Sequence, residues 1–163
     1  MREIKLSENE LDENNNFDLG AITGNWGKNI SYDGGNEKVS NYFGGARKAV
    51  NNPSSFFYGK TALDIFQLAM AVGKYYGSRK KLVNARSNLP KNSLTEKQTW
   101  SMISVALAEE ESDIFTLKDG GQIYRICEEY ANGGIEMVMD WDETGSTTNT
   151  IKQFVGKFEE FLE

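Results

Sequence analysis

The side chains available for chemistry are defined first by what is missing. The 163-residue chain contains no histidine and a single cysteine, Cys127. Imidazole is the usual general base near neutral pH and the commonest metal ligand, so Ser-His-Asp and Cys-His catalysis are excluded. One thiol without imidazole also leaves no internal ligand set for structural zinc or an iron–sulfur cluster. Carboxylate, lysine and tyrosine chemistry remain. Cys127 falls on an apolar helical face beside Glu128 and Glu129, which disfavours a thiolate, so it reads as core rather than nucleophile.

The most suggestive carboxylates are Asp140 and Asp142, which with Thr144 end an apolar run, Met137-Val138-Met139. That pattern resembles the first motif of haloacid-dehalogenase-type phosphatases, but the resemblance would require more βα units than the 19 residues after Thr144 provide. The same stretch imitates an EF-hand, with Asp140, Asp142, Thr144 and Gly145 at loop positions 1, 3, 5 and 6. Position 12 is Ile151 instead of the bidentate glutamate a calcium site wants, so a solvated acidic loop is the favoured reading. A carboxylate-dependent metal enzyme using Asp140, Asp142 and Glu136 is the least favoured reading. Gly59-Lys60-Thr61 looks like the end of a phosphate-binding P-loop, yet the first loop glycine falls at Ser54 and Phe56-Phe57-Tyr58 is too bulky for a tight cradle.

Charge distribution is more informative than these motifs. Residues 56–91 carry seven basic side chains against Asp64 alone, whereas residues 92–163 carry five basic and fifteen acidic ones. Arg79, Lys80, Lys81 and Arg86 form the densest basic cluster and are the candidate nucleic-acid-binding residues, since a basic footprint is what phosphate contact requires. The competing reading pairs this cluster with the acidic C-terminal part and with a helix C-terminus. A net charge of −6 opposes strong DNA binding by the chain alone.

These residues must be positioned by helices. Leu63, Ile65, Phe66, Leu68, Ala69, Met70, Val72, Tyr75 and Tyr76 predict a largely buried helix from Thr61 to about Tyr76, ended by Gly77. Ser93 with Glu96 makes a capping-box pattern for a second helix to about Glu110, carrying Trp100, Ile103, Val105, Ala106 and Leu107. A third stretch, roughly 121–131, groups Ile123, Ile126, Cys127 and Tyr130, and Gly133-Gly134 ends or interrupts it. Ile151, Phe154, Val155, Phe158, Phe161 and Leu162 mark an amphipathic terminal helix, in which Phe158 and Phe161, like Trp100, read as core. Residues 7–55 hold ten Asn and seven Gly among scattered aromatics, suggesting a loop-rich arm with short β-hairpins around Asp33-Gly34-Gly35. The expected fold is therefore mainly α, with four to five helices in a domain over residues 56–163 and a loop-rich N-terminal arm over 1–55. No apolar run reaches the roughly 18 residues of a membrane span, and the polar, acidic start of the chain lacks the apolar stretch of a secretory signal. A cytoplasmic location and no membrane partner are expected.

The stretch from Ile123 to Glu136, with Glu128-Glu129-Tyr130-Ala131-Asn132-Gly133-Gly134 at its centre, resembles the signature of DNA phosphorothioation-associated protein 4. Asp64–Gly73, the basic residues 79–81 and Val105-Ala106-Leu107-Ala108 resemble further parts of that family, so the likeness spans roughly 56–140. It implies membership of gene clusters that replace a DNA backbone oxygen with sulfur or restrict unmodified invading DNA, and it implies no catalytic residue and no cofactor. The expected function is a non-catalytic accessory protein of such a defence system, acting through contacts with other proteins of the same cluster, with DNA as the secondary candidate partner. A DNA-binding regulator using the basic patch is the alternative. Glu128, Glu129, Tyr130, Asn132, Gly133 and Gly134 are the candidate partner-binding residues, because paired glycines permit close backbone approach by a partner or a second helix.

Overall fold

Two buried helices set the architecture in a computed structural model of the chain, which describes residues 19–44, 48–110, 116 and 118–145. In chain order the elements are α1 (Leu19–Thr23), β1 (Asn29–Asp33), α2 (Glu37–Phe43), α3 (Lys48–Asn51), α4 (Ala62–Tyr75), β2 (Ala85–Pro90), a 3-10 turn (Lys91–Ser93), α5 (Glu96–Glu109) and α6 (Gly120–Glu143). The expected terminal helix over 151–162 lies outside the described residues.

Helix α4 starts where Thr61 and Asp64 cap each other reciprocally, the Thr61 hydroxyl accepting from Asp64 N–H and the Asp64 carboxylate accepting from Thr61 N–H. It ends at Gly77, whose φ of +63° reverses the chain so that Ser78 N–H donates to Gly73 O. Its buried residues, Leu63, Ile65, Phe66, Ala69, Met70, Val72 and Gly73, recur at helical spacing and face α6 and α5. Helix α5 is capped by Thr95 and Gln98, two residues later than the expected Ser93–Glu96 box. The shift has a local cause: residues 91–93 form the 3-10 turn, so Ser93 is itself turned and Leu94 must extend before the helix begins.

Helix α6 departs most from expectation. It runs without a break from Gly120 to Glu143, about 36 Å at 1.5 Å per residue. The Gly133-Gly134 pair neither ends nor interrupts it. These glycines let backbones approach: a Cβ on Gly134 would lie 2.0 Å from Ala69 O, and one on Gly133 would lie 1.8 Å from Ser78 O. Gly73 answers from α4, where a Cβ would meet Tyr130 O at 2.0 Å. The pairings Ala69 with Gly134 and Gly73 with Tyr130 make α4 and α6 antiparallel neighbours.

The mainly α fold with a small sheet is present, but the strand near Asp33 does not pair locally. β1 pairs antiparallel with β2, from Asn29 opposite Pro90 to Asp33 opposite Ala85, with a bulge at Ile30/Ser31. Burial explains the distant partner, since Ile30, Tyr32 and Leu89 all join the core. Residues on both sides of position 55 share that core: Trp26, Tyr42, Phe43 and Val50 join the same cluster as Phe66, Met102, Ile126 and Ile135. Among the described residues no helix is long and apolar enough to cross a membrane.

Candidate functional site

The segment joining α4 to β2 crosses the middle of α6, and the two halves of the charge asymmetry meet there. Lys74, at the end of α4, places Nζ 2.8 Å from Glu109 Oε2 of α5. Arg79 spans two helices, with Nη1 2.7 Å from Glu109 Oε1 and Nε 2.7 Å from Glu129 Oε2 of α6. Tyr130 donates its hydroxyl to Glu109 Oε2, and its ring lies under Lys74 Nζ at 4.9 Å from the centroid and near the Arg79 guanidinium at 5.8 Å. Outside this cluster, Lys80 Nζ pairs with Glu136 at 2.8 Å in a more exposed position.

The electrostatics follow from this geometry. Hydrogen bonds from Lys74 and then Tyr130, joined by Arg79, hold the Glu109 carboxyl down at about 2. Burial and the hydrogen bond to Glu109 push the Tyr130 hydroxyl up. Burial alone would lower Lys74, but its bonds to Glu109 and Tyr130 override this and raise it. A carboxylate with both oxygens occupied by charged donors is a poor base, and a phenol held neutral is a poor nucleophile. Every ionisable group in the cluster is thus paired within it.

At the centre of the signature, Glu128, Glu129, Tyr130, Asn132 and Gly133 each have an internal partner. Glu128 accepts from Ser31 N–H at 2.6 Å, and burial raises its carboxyl above the ordinary range against the opposing pull of that bond. Glu129 holds Arg79, and its carbonyl accepts from Lys80 N–H at 3.0 Å. Asn132 Nδ2 donates to the carbonyls of Lys80 and Lys81 at 3.2 and 3.1 Å. Gly133 O accepts from the Ser78 hydroxyl at 3.0 Å. The structure thus gathers Glu128, Glu129, Tyr130, Asn132, Gly133 and Gly134 along the part of α6 that carries the chain's own residues 78–81, β1 and α4, with Gly134 against α4 and Gly133 against Ser78 of the connector.

The basic cluster, by contrast, is divided. Arg79 and Lys80 are paired as above, while Lys81 and Arg86 are exposed and have no carboxylate partner among the described residues. Arg125, exposed on α6 and equally unpaired there, shares with Lys81 the lining of a cavity of about 500 Å³ that also includes Arg79, Leu82, Ala85 and the acidic residues Glu128 and Glu129. Arg125 lies within the signature stretch but is given no role by the sequence reading, although its place one helical turn before Glu128 puts it on the same α6 face. Beyond Lys81 the loop is pinned by Asp33, whose carboxylate accepts from Val83 N–H at 2.8 Å and Asn84 N–H at 3.3 Å. Those backbone bonds, Val83 foremost, hold Asp33 below the ordinary carboxylate range.

The motif carboxylates are elsewhere and on a helix. Asp140 and Asp142 occupy the last turns of α6 rather than an acidic loop, because the α6 periodicity carries on through Val138 and Met139 into the core. Asp142 accepts from the Ser55 hydroxyl at 2.8 Å, Phe56 N–H at 2.7 Å and Tyr42 OH at 3.0 Å, tying the 52–58 turns to α6. Among the described residues no group of three acidic or cysteine side chains is arranged to hold a metal. At Gly59-Lys60-Thr61 the N-terminus of α4 is occupied by its own Asp64 carboxylate, where a phosphate would have to sit. Cys127 is fully buried, its thiol donating to Met102 O at 3.4 Å and pushed up by burial. A second hollow, about 620 Å³ and mostly apolar, lies between α4 and α5 and includes Met70, Ala71, Trp100 and Val105.

No curated protein and no solved structure matches the chain. A family model does, that of DNA sulphur modification system-associated protein 4, over residues 49–156. The match takes in α4, the 78–81 segment, β2, α5 and α6, and it leaves β1 and α2 outside. The helices that build the charge cluster and the signature face therefore all fall inside the matched stretch, and the chain belongs to the family of DNA sulphur modification system-associated protein 4.

Proposed function

We propose that the chain is a non-catalytic accessory protein of a DNA sulphur modification system and acts through contacts with proteins encoded beside it. Family membership supplies the system. The observation that carries the rest is the internal use of the signature: the ionisable groups it brings together, Glu109, Glu129, Tyr130, Lys74 and Arg79, satisfy one another and brace a connector. Such a face suits a rigid adaptor better than a reaction centre, since a general acid or base needs a free position within hydrogen-bond reach of substrate. Without histidine, and with its one thiol buried against Met102, the chain also lacks the usual nucleophile and base. Affinity capture of the tagged chain with each co-encoded protein tests this reading. Stable association with at least one is the expected result, and failure with all of them would overturn it.

A further inference from the structure

The connector from Ser78 to Asn84 is held in place along its backbone; Ser78, Arg79 and Lys80 turn their side chains to α5 and α6, whereas Lys81, Val83 and Asn84 are exposed. Asn132 fixes the carbonyls of Lys80 and Lys81, Asp33 fixes the N–H groups of Val83 and Asn84, and Gly34 N–H donates to Asn84 O at 2.8 Å. From Ala85 onward the β1 ladder takes over. Arg86 runs its stem across Gly34, closely enough that a Cβ on that glycine would lie 2.3 Å from Arg86 Cδ. On this frame Lys81, Arg86, Ser87 and Asn88 are exposed, and Val83 at the tip is 93% exposed.

We propose that this pinned loop, with Arg125 beside it, is a contact surface for the phosphate backbone of duplex DNA. Lys81, Arg86 and Arg125 are cations without an internal carboxylate partner among the described residues, so their charge is not already spent, unlike that of Arg79 and Lys80. A fixed backbone reduces the entropy lost when such side chains engage a ligand. Asn88 adds a neutral hydrogen-bonding group of the kind that phosphate oxygens also accept from, while the Ser87 hydroxyl is shared with that of Ser31 at 2.7 Å. Three exposed cations on this frame and the adjoining α6 favour a polyanion over an apolar protein face. The inference adds a partner to the accessory reading and does not depend on it, because protein association and DNA contact are read in separate experiments.

Three cations set the expected strength. Neutralising about three phosphates gives a slope of about −2.7 for log affinity against log salt, in the weak, sequence-independent range. The test is fluorescence anisotropy of a labelled duplex between about 50 and 200 mM salt. Lys81→Gln, Arg86→Gln and Arg125→Gln are each expected to weaken binding roughly eightfold at about 0.1 M salt and to flatten the slope by about 1. Lys97→Gln on α5 makes the same charge change elsewhere and is expected to change binding less than twofold. Circular dichroism melts confirm that each variant is folded. The proposal is overturned if the wild-type chain leaves the duplex unbound at about 1 mM protein, above the weak end of non-specific affinities. It is equally overturned if the three loop variants lose no more than Lys97→Gln, or if poly-glutamate competes as well as unlabelled duplex, which would assign the surface to an acidic protein partner.

Discussion

Arg79 and Lys81 lie two residues apart in one basic run and have opposite fates. Arg79 turns toward α5 and α6 and is consumed by Glu109 and Glu129, while Lys81 turns outward next to Arg125 and stays unpaired among the described residues. The difference does not lie in the side chains, whose charge is the same. It lies in what α6 presents at each height: Glu129 and Tyr130 at one level, and Asn132, which grips the backbone of residues 80 and 81 and leaves their side chains free to diverge, at the next. A count of formal charge therefore measures supply. Which charges remain for a partner is decided by the pairing that folding has already made.

This contrast can be broken at its foundation. Gly133→Val should have the largest effect, because its Cβ would collide with Ser78 O at 1.8 Å and lift the connector off α6, costing about 3 kcal/mol in chemical denaturation. Removing the shared acceptor comes next: Glu109→Ala leaves Lys74, Arg79 and Tyr130 without their common partner and should cost about 2 kcal/mol, read as a lower midpoint in urea melts. At the unpaired end, Lys81→Ala and Arg86→Ala should change stability by less than about 0.5 kcal/mol in the same melts.

Acid titration sharpens the same comparison. The folded Glu109 sits near 2, below its ordinary 4.5, so its stabilisation is fully present above 4.5 and is lost as pH falls toward 2. Melts of the wild type across that window should show a steeper decline than Glu109→Gln, which keeps the contribution of Asp33. Glu128 has the opposite sign, since its raised folded value means that the charge opposes folding once pH exceeds its ordinary 4.5. Glu128→Gln keeps an acceptor for Ser31 and should raise stability at neutral pH, checked by the same melts.

Helices α4 and α5 were legible because their signals are local: apolar spacing from Leu63 to Val72 and from Trp100 to Leu107, and a left-handed glycine behind α4; the α5 cap was misplaced by two residues because the 3-10 turn over 91–93 intervenes. The second half of α6 was not, because a glycine pair reads locally as a stop, and its real cause, the approach of Ala69 and Ser78, lies more than fifty residues away. The β1–β2 pairing was hidden for the same reason, as Asp33 meets Ala85 across the whole of α4. Of the charge cluster, the existence of complementary halves could be counted, and so could the residues of the signature. The division of the basic run could not, because it depends on partners thirty to fifty-six residues away, and Arg125 gained meaning only when α6 set it beside Lys81.

The most direct measurement is a pair of double-mutant cycles in urea denaturation, one on Arg79 with Glu109 and one on Lys81 with Glu128. The first should give a coupling energy of at least about 1 kcal/mol, and the second less than about 0.3 kcal/mol. Equal couplings in the two cycles would contradict the division of the basic segment into a bracing half and a free half.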